Sequence, residues 1–238
     1  MIPGARRLSL RKAFIETLHI QPVRLLAVRV LLIHGLGRTP LSLQPLANYL
    51  NQRGHPTESL GYVADFESYT SICDRLQARM LAMTGGGQRF ALCGHSLGGL
   101  LALSALSKVR IRPGAASALI TLGTPLMPPR LARRFKESSW FRLAAGDGGQ
   151  RLADPQFFAG LQVPPIPWLR IIGTGSPTGK LSPFGGEPND GVVALDEAAR
   201  EGAAPTVLVD AVHTFLMNST TARYAIDDFL RRIDSSMQ

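Results

Sequence analysis

Disulfide chemistry has almost no material in this chain, which holds two cysteines among 238 residues. Cys93 falls in an apolar run, and Cys73 recurs at helical spacing with Ile72, Leu76, Met80 and Met83, so both are expected as packed thiols. No CxxC or Cys/His grouping accompanies them, so no metal site is expected. Charge is also scarce, at 18% of residues against 45% hydrophobic ones, the reverse of the balance in a disordered chain. Long apolar runs are missing: the longest uncharged stretch, Ala91 to Ser107, is interrupted by glycines. It reads as a buried strand followed by a buried helix and not as a membrane span. No long polar linker divides the chain, which predicts a single domain over residues 1–238.

Acids are outnumbered, 17 against 26 Lys and Arg, for a formal net charge of +9. The basic residues thicken in the N-terminal segment 1–27, with Arg6, Arg7, Arg11, Lys12 and Arg24 (and Arg29 just beyond), and again at Arg130, Arg133, Arg134 and Lys136. Two explanations stand: a solvated arginine-rich surface, or peripheral attraction to an anionic membrane. No nucleic-acid partner is expected, because no reading motif accompanies the charge. Glu16 and His19 interrupt the apolar core that a secretory signal would need, so a cytoplasmic place is expected, with a membrane-peripheral one as the alternative.

What the chain does have is alternation. Ala27–Ile33 is an apolar, β-rich run; Thr39-Pro40 marks a helix start, with Thr39 as N-cap, and Leu43, Leu46, Ala47 and Leu50 form its stripe up to Arg53-Gly54. A weaker strand is expected within Thr57 to Val63, then a helix from Ile72 that stops at Gly85-Gly86-Gly87. A strand at Arg89–Cys93, a helix at Leu97–Lys108 and a strand at Ser117–Leu122 follow. Residues 126–167 break the rhythm, with prolines at both ends and the aromatics Trp140, Phe141, Phe157 and Phe158 inside. This insertion is either a lid over a site or a small core of its own. Strands at Leu169–Ile172 and Thr206–Val209 and a helix carrying Ala222, Ala225, Ile226, Phe229 and Ile233 complete the chain. Strict alternation predicts an α/β fold, a mostly parallel central sheet with helices on both faces.

Behind the third strand stands Gly94-His95-Ser96-Leu97-Gly98-Gly99. A GxSxG sequence between strand and helix fits a sharp turn that pushes a serine hydroxyl into a cleft, and Gly94 and Gly98 provide the space that side chains would fill. A serine is a weak nucleophile without a base. His213 is placed for that role, in the loop at the carboxyl end of the last strand; His95 is expected to point away from the serine. Asp190, in Asn189-Asp190-Gly191, lies between Ser96 and His213 in chain order and is preferred as the orienting acid to Asp210, which is three residues before His213. The backbone N–H groups of Leu36 and Leu97 are the expected oxyanion donors, with Gly35 letting the first loop approach closely.

Four blocks occur in order: Val30-Leu31-Leu32-Ile33-His34-Gly35-Leu36-Gly37-Arg38-Thr39, the GHSLGG elbow, Asn189-Asp190-Gly191-Val192-Val193, and His213-Thr214-Phe215-Leu216-Met217. Over roughly residues 28 to 232 the chain resembles the lipase/esterase-like α/β-hydrolases of bacteria. The resemblance implies a serine hydrolase with Ser96, Asp190 and His213 as triad, no cofactor, and an acyl-ester or lipid substrate. It departs from larger members in an N-terminal segment too short for a first antiparallel hairpin, and residues 126–167 match no known pattern. The expected activity is hydrolysis of carboxylic esters; a thioesterase or acyltransferase would use the same residues, and a non-catalytic binding protein of this fold is the remaining alternative.

Overall fold

The computed structural model describes residues 28–85, 89–108, 116–180, 182–199 and 204–235, with side chains omitted for residues 116, 117, 139–144 and 234. The basic N-terminal segment 1–27 and the Gly86-Gly87 part of the expected helix stop lie outside the described residues. Six strands run in the order β2-β1-β3-β4-β5-β6, every pairing parallel. They are β1 (Arg29–Ile33), β2 (Thr57–Ser59), β3 (Phe90–His95), β4 (Ala116–Leu122), β5 (Trp168–Gly173) and β6 (Thr206–Val209).

Side chains of a strand alternate between faces, so a strand apolar at every position must be covered on both. In β1, Leu31 and Ile33 enter one buried cluster while Val30 and Leu32 enter the other. The first cluster is roofed by α2 (Tyr69–Gly85) and α3 (Leu97–Lys108). The second is closed by α1 (Gln44–Gln52) and α8 (Thr220–Ser235), which presents Ala222, Ile226, Leu230 and Ile233 inward. Helix α3 buries Leu97, Leu100, Leu101, Leu103 and Leu106, as its nearly uninterrupted apolar sequence demands. Cys73 and Cys93 are free and buried, and burial pushes the Cys93 thiol up to about 12.

One local expectation is corrected. Thr39 makes no side-chain cap; Pro40–Leu43 forms a tight 3-10 turn before α1, and it is Ser42 that donates its hydroxyl to the Thr39 carbonyl at 2.7 Å. The weaker strand expected within Thr57 to Val63 is β2, Thr57–Ser59. As the sheet's edge it has one partner, β1, which ends at Ile33; beyond it Leu60 and Tyr62 turn into the core.

The insertion folds as α4 (Arg130–Phe135), α5 (Ser139–Leu152) and α6 (Pro155–Ala159), and α7 (Leu195–Ala198) precedes β6. Phe157 and Phe158 do not form a separate core. Phe158 is buried in the α2/α3 cluster and the Phe157 ring meets Tyr69 edge-on at 5.3 Å; the side chains of Trp140 and Phe141 are outside the described set. Strand order reverses between β1 and β3, and at such a switch point the strand carboxyl ends leave a crevice open to ligands.

Candidate active site

That crevice is flanked by the loop after β1 and the turn after β3. Ser96, at φ 54°, is the one non-glycine residue with positive φ among the described residues. A conformation of that kind costs about 1–3 kcal/mol and persists where its surroundings over-determine it. The Ser96 N–H donates to the Leu122 carbonyl at 2.8 Å, while the Ser96 carbonyl accepts from the Gly99 N–H at 3.0 Å and the Thr124 hydroxyl at 3.1 Å. Glycine is required on both sides for space: a Cβ on Gly94 would overlap the Gly98 and Gly99 backbone, and one on Gly98 would overlap the Ile33 and His34 carbonyls. A Cβ on Gly35 would come within 3.1 Å of the Ser96 Cβ, so the β1 loop lies directly against the turn.

His213 opens a 3-10 turn (His213–Asn218) after β6, at the same sheet edge. Its Nδ1 lies 2.6 Å from Oδ2 of Asp190, and its backbone N–H donates to the Asp190 carbonyl at 2.8 Å. The other carboxylate oxygen of Asp190 accepts the N–H groups of Val192 at 3.0 Å and Val193 at 2.7 Å. Both Asp190 oxygens are thereby satisfied in a position 2% exposed, as burial of a carboxylate requires. A carboxylate only accepts, so the proton of the pair sits on Nδ1 and the Nε2 lone pair of His213 is free. Gly123, at φ 56°, passes so close to His213 that a Cβ there would stand 2.9 Å from Nδ1.

Ser96 and His213 line one cavity of about 420 Å³. Leu36 comes to it from the β1 loop, Val192 and Val193 from the Asp190 loop, and Leu131, Ala132 and Phe135 from α4. No Asp or Glu lines it among the described residues. Leu97 is the first residue of α3, where the N–H groups of the opening turn have no helical carbonyl to accept them. No group of three or more His, Cys, Asp or Glu among the described residues is arranged to hold a metal ion.

The family model for the alpha/beta hydrolase family matches residues 30–233. The chain belongs to that family. Solved structures similar to this hydrolase include a lipase of Bacillus licheniformis in its mature form, 18% identical with TM-score 0.67 over 87% of this chain and 92% of that one. A metagenomic carboxyl esterase is 16% identical, TM-score 0.67, over 88% and 76%. A soluble variant of a monoglyceride lipase from Saccharomyces cerevisiae, solved with a substrate analogue, is 12% identical, TM-score 0.59, over 87% and 86%. Among curated proteins, none matches the hydrolase by sequence.

Ser96, Asp190 and His213 lie at this edge of the hydrolase, and so does Asp210, but Asp210 is exposed and it is Asp190 that meets the imidazole. His95 was expected to point away from the serine; its ring centroid is 4.8 Å from that of His213 and its Nε2–H donates to the His213 carbonyl at 3.0 Å. Burial, with the His213 charge second, holds His95 well below the usual imidazole range, so it acts there as a neutral donor. Arg38 also escapes sequence reading: it lines the cavity and donates from Nη2 to the Thr214 hydroxyl at 2.7 Å.

Proposed function

We propose that this α/β-hydrolase is a serine ester hydrolase that works through an acyl-enzyme on Ser96. The Ser96 hydroxyl oxygen attacks the ester carbonyl carbon as its proton passes to Nε2 of His213. Backbone N–H groups of Leu36 and Leu97 receive the oxyanion. Collapse breaks the carbonyl–alkoxy bond, and His213 returns the proton to the departing alcohol. Water then enters, gives a proton to His213 and displaces the acyl group as a carboxylic acid, restoring the serine. Asp190 holds the Nδ1–H tautomer and stabilises the imidazolium without taking its proton.

The observation that carries this reading is the Asp190–His213 hydrogen bond behind a cavity that His213 shares with Ser96. The apolar side chains of Leu131, Ala132 and Phe135 favour an acyl chain over a charged acyl group. A series of p-nitrophenyl esters of increasing chain length tests it. Wild-type hydrolysis is expected to exceed background on at least one chain length, and Ser96→Ala to lower it by about four to six orders of magnitude. Equal rates in the two proteins would overturn the reading.

A peripheral encounter with anionic lipid is proposed as the route of apolar esters to the cavity. Arg133, Arg134 and Lys136 are exposed on and just after α4, the helix whose Leu131 and Phe135 line the cavity. No helix of the described residues is long and apolar enough to cross a membrane. Co-sedimentation with vesicles is expected to need anionic lipid and to weaken with salt; binding indifferent to both would remove the proposal.

A further inference from the structure

Several arginines of this protein pair with carboxylates, while Arg170 and Arg223 spend their donors on carbonyl and amide oxygens. Arg75 pairs with Glu67, Arg79 with Glu58, Arg130 with Asp196 and Glu197, and Arg231 with Asp227. Arg38 has neither kind of partnership: half-buried at the cavity wall, it has the Thr214 hydroxyl as its polar contact and no carboxylate among the described residues. A guanidinium carries five N–H donors and a hydroxyl occupies one, so most of its binding capacity is unspent. No Asp or Glu among the described residues shares the cavity lining with it.

Its position tells which part of a substrate it would meet. Arg38 is two residues after Leu36, and it is bonded to Thr214, the neighbour of His213. His213 protonates the departing alcohol in the proposed reaction, so the alcohol must lie on this side, whereas the acyl chain has the apolar surface of Leu131, Ala132, Phe135 and Leu152. We propose that Arg38 binds an anionic group on the alcohol moiety, so that the substrate is an ester of an apolar acyl chain with an alcohol bearing a phosphate or carboxylate. The planar fork of a guanidinium suits either group through paired charge-assisted hydrogen bonds. This inference rests on the ester-hydrolase reading and adds to it the charge of the leaving group.

Two matched pairs of esters test it: hexanoyl glycerol phosphate against monohexanoyl glycerol, and the hexanoyl ester of hydroxypropanoate against propyl hexanoate. The readout is the ratio of kcat/KM for the charged ester to that for its neutral partner. In the wild type at least one pair is expected to give a ratio above roughly tenfold, and which pair it is separates phosphate from carboxylate. Arg38→Met is expected to bring that ratio to near one, and Arg38→Lys to restore part of it, since charge survives and the fork does not. A guanidinium that merely steadied Thr214 would slow both members of a pair alike and leave the ratio unmoved; Thr214→Val, which cuts the same bond, is expected to do so. A wild-type ratio at or below one for both pairs, or a ratio unchanged in Arg38→Met, overturns the proposal while neutral-ester turnover keeps the hydrolase reading alive. Failure to hydrolyse any of the four esters, together with no modification of Ser96 by a fluorophosphonate, removes the hydrolase reading and this proposal with it.

Discussion

Oδ2 of Asp190 and Nδ1 of His213 stand 2.6 Å apart, although 23 residues separate them in the chain. The contact leaves Nε2 as the free basic atom of the imidazole. Asp190→Asn retains the shape but presents an amide, which donates as readily as it accepts and supports the opposite tautomer. Ester kcat is expected to fall by about 10³–10⁴-fold with the urea midpoint little changed. A loss under tenfold would show that the imidazole is oriented by something other than Asp190.

His95 secures the same ring from the backbone side, through its Nε2–H bond to the His213 carbonyl. His95→Phe preserves an aromatic ring of similar bulk and deletes the donor, leaving a buried carbonyl without its partner. A stability loss of about 1–3 kcal/mol is expected, with kcat lowered by about tenfold or more through displacement of His213. Stability lost with kcat preserved would make His95 a core residue alone.

The turn at Ser96 depends on backbone contact where Gly98 meets the end of β1. Because a Cβ on Gly98 would overlap the Ile33 and His34 carbonyls, and neither carbonyl can move without disturbing the sheet, Gly98→Ala is expected to cost about 2–4 kcal/mol or prevent folding. Gly61→Ala, whose Cβ meets nothing within 4 Å, is expected to stay within about 0.5 kcal/mol of wild type. Urea titration of the pair checks both, and equal stabilities would refute the steric account.

Much of this arrangement is legible in the sequence, for a reason that also sets its limit. Central parallel strands are apolar on both faces, so β1, β3, β4 and β5 announce themselves as short hydrophobic runs. Chain order and strand ends then single out Ser96, Asp190 and His213. The bounds of edge strand β2 inside Thr57–Val63 are not local, because its end is set by how far β1 extends, a property of another segment. The positions of His95 and Arg38 depend on contacts with residues 118 and 176 places away, and neither carries a local periodicity. For the insertion, composition marks an irregular region but not its destination; the α5 kink at Gly146, φ 53°, fits because a Cβ there would press on the Ala64 and Asp65 carbonyls, far off in sequence.

Three buried imidazoles set the acid side of the stability profile. Burial lowers His34, His55 and His95 below the ordinary value of 6.5, partly opposed at His55 by the charge of Asp227 and at His34 by hydrogen bonds to the backbone. The folded state keeps them neutral while the unfolded chain takes up protons as pH falls through 6.5. Stability is therefore full above that value and declines below it, each histidine adding up to about 1.4 kcal/mol per pH unit until its folded-state value is reached. Urea midpoints measured from pH 7.5 to 5 are expected to fall steadily, and a flat or rising profile would contradict the assignment.

The central claim, that Ser96 is an activated nucleophile, is tested most directly by intact mass after treatment with a fluorophosphonate. The account predicts one covalent adduct on the wild-type protein and none on Ser96→Ala. An unmodified wild type, or an adduct of equal yield on Ser96→Ala, would contradict it.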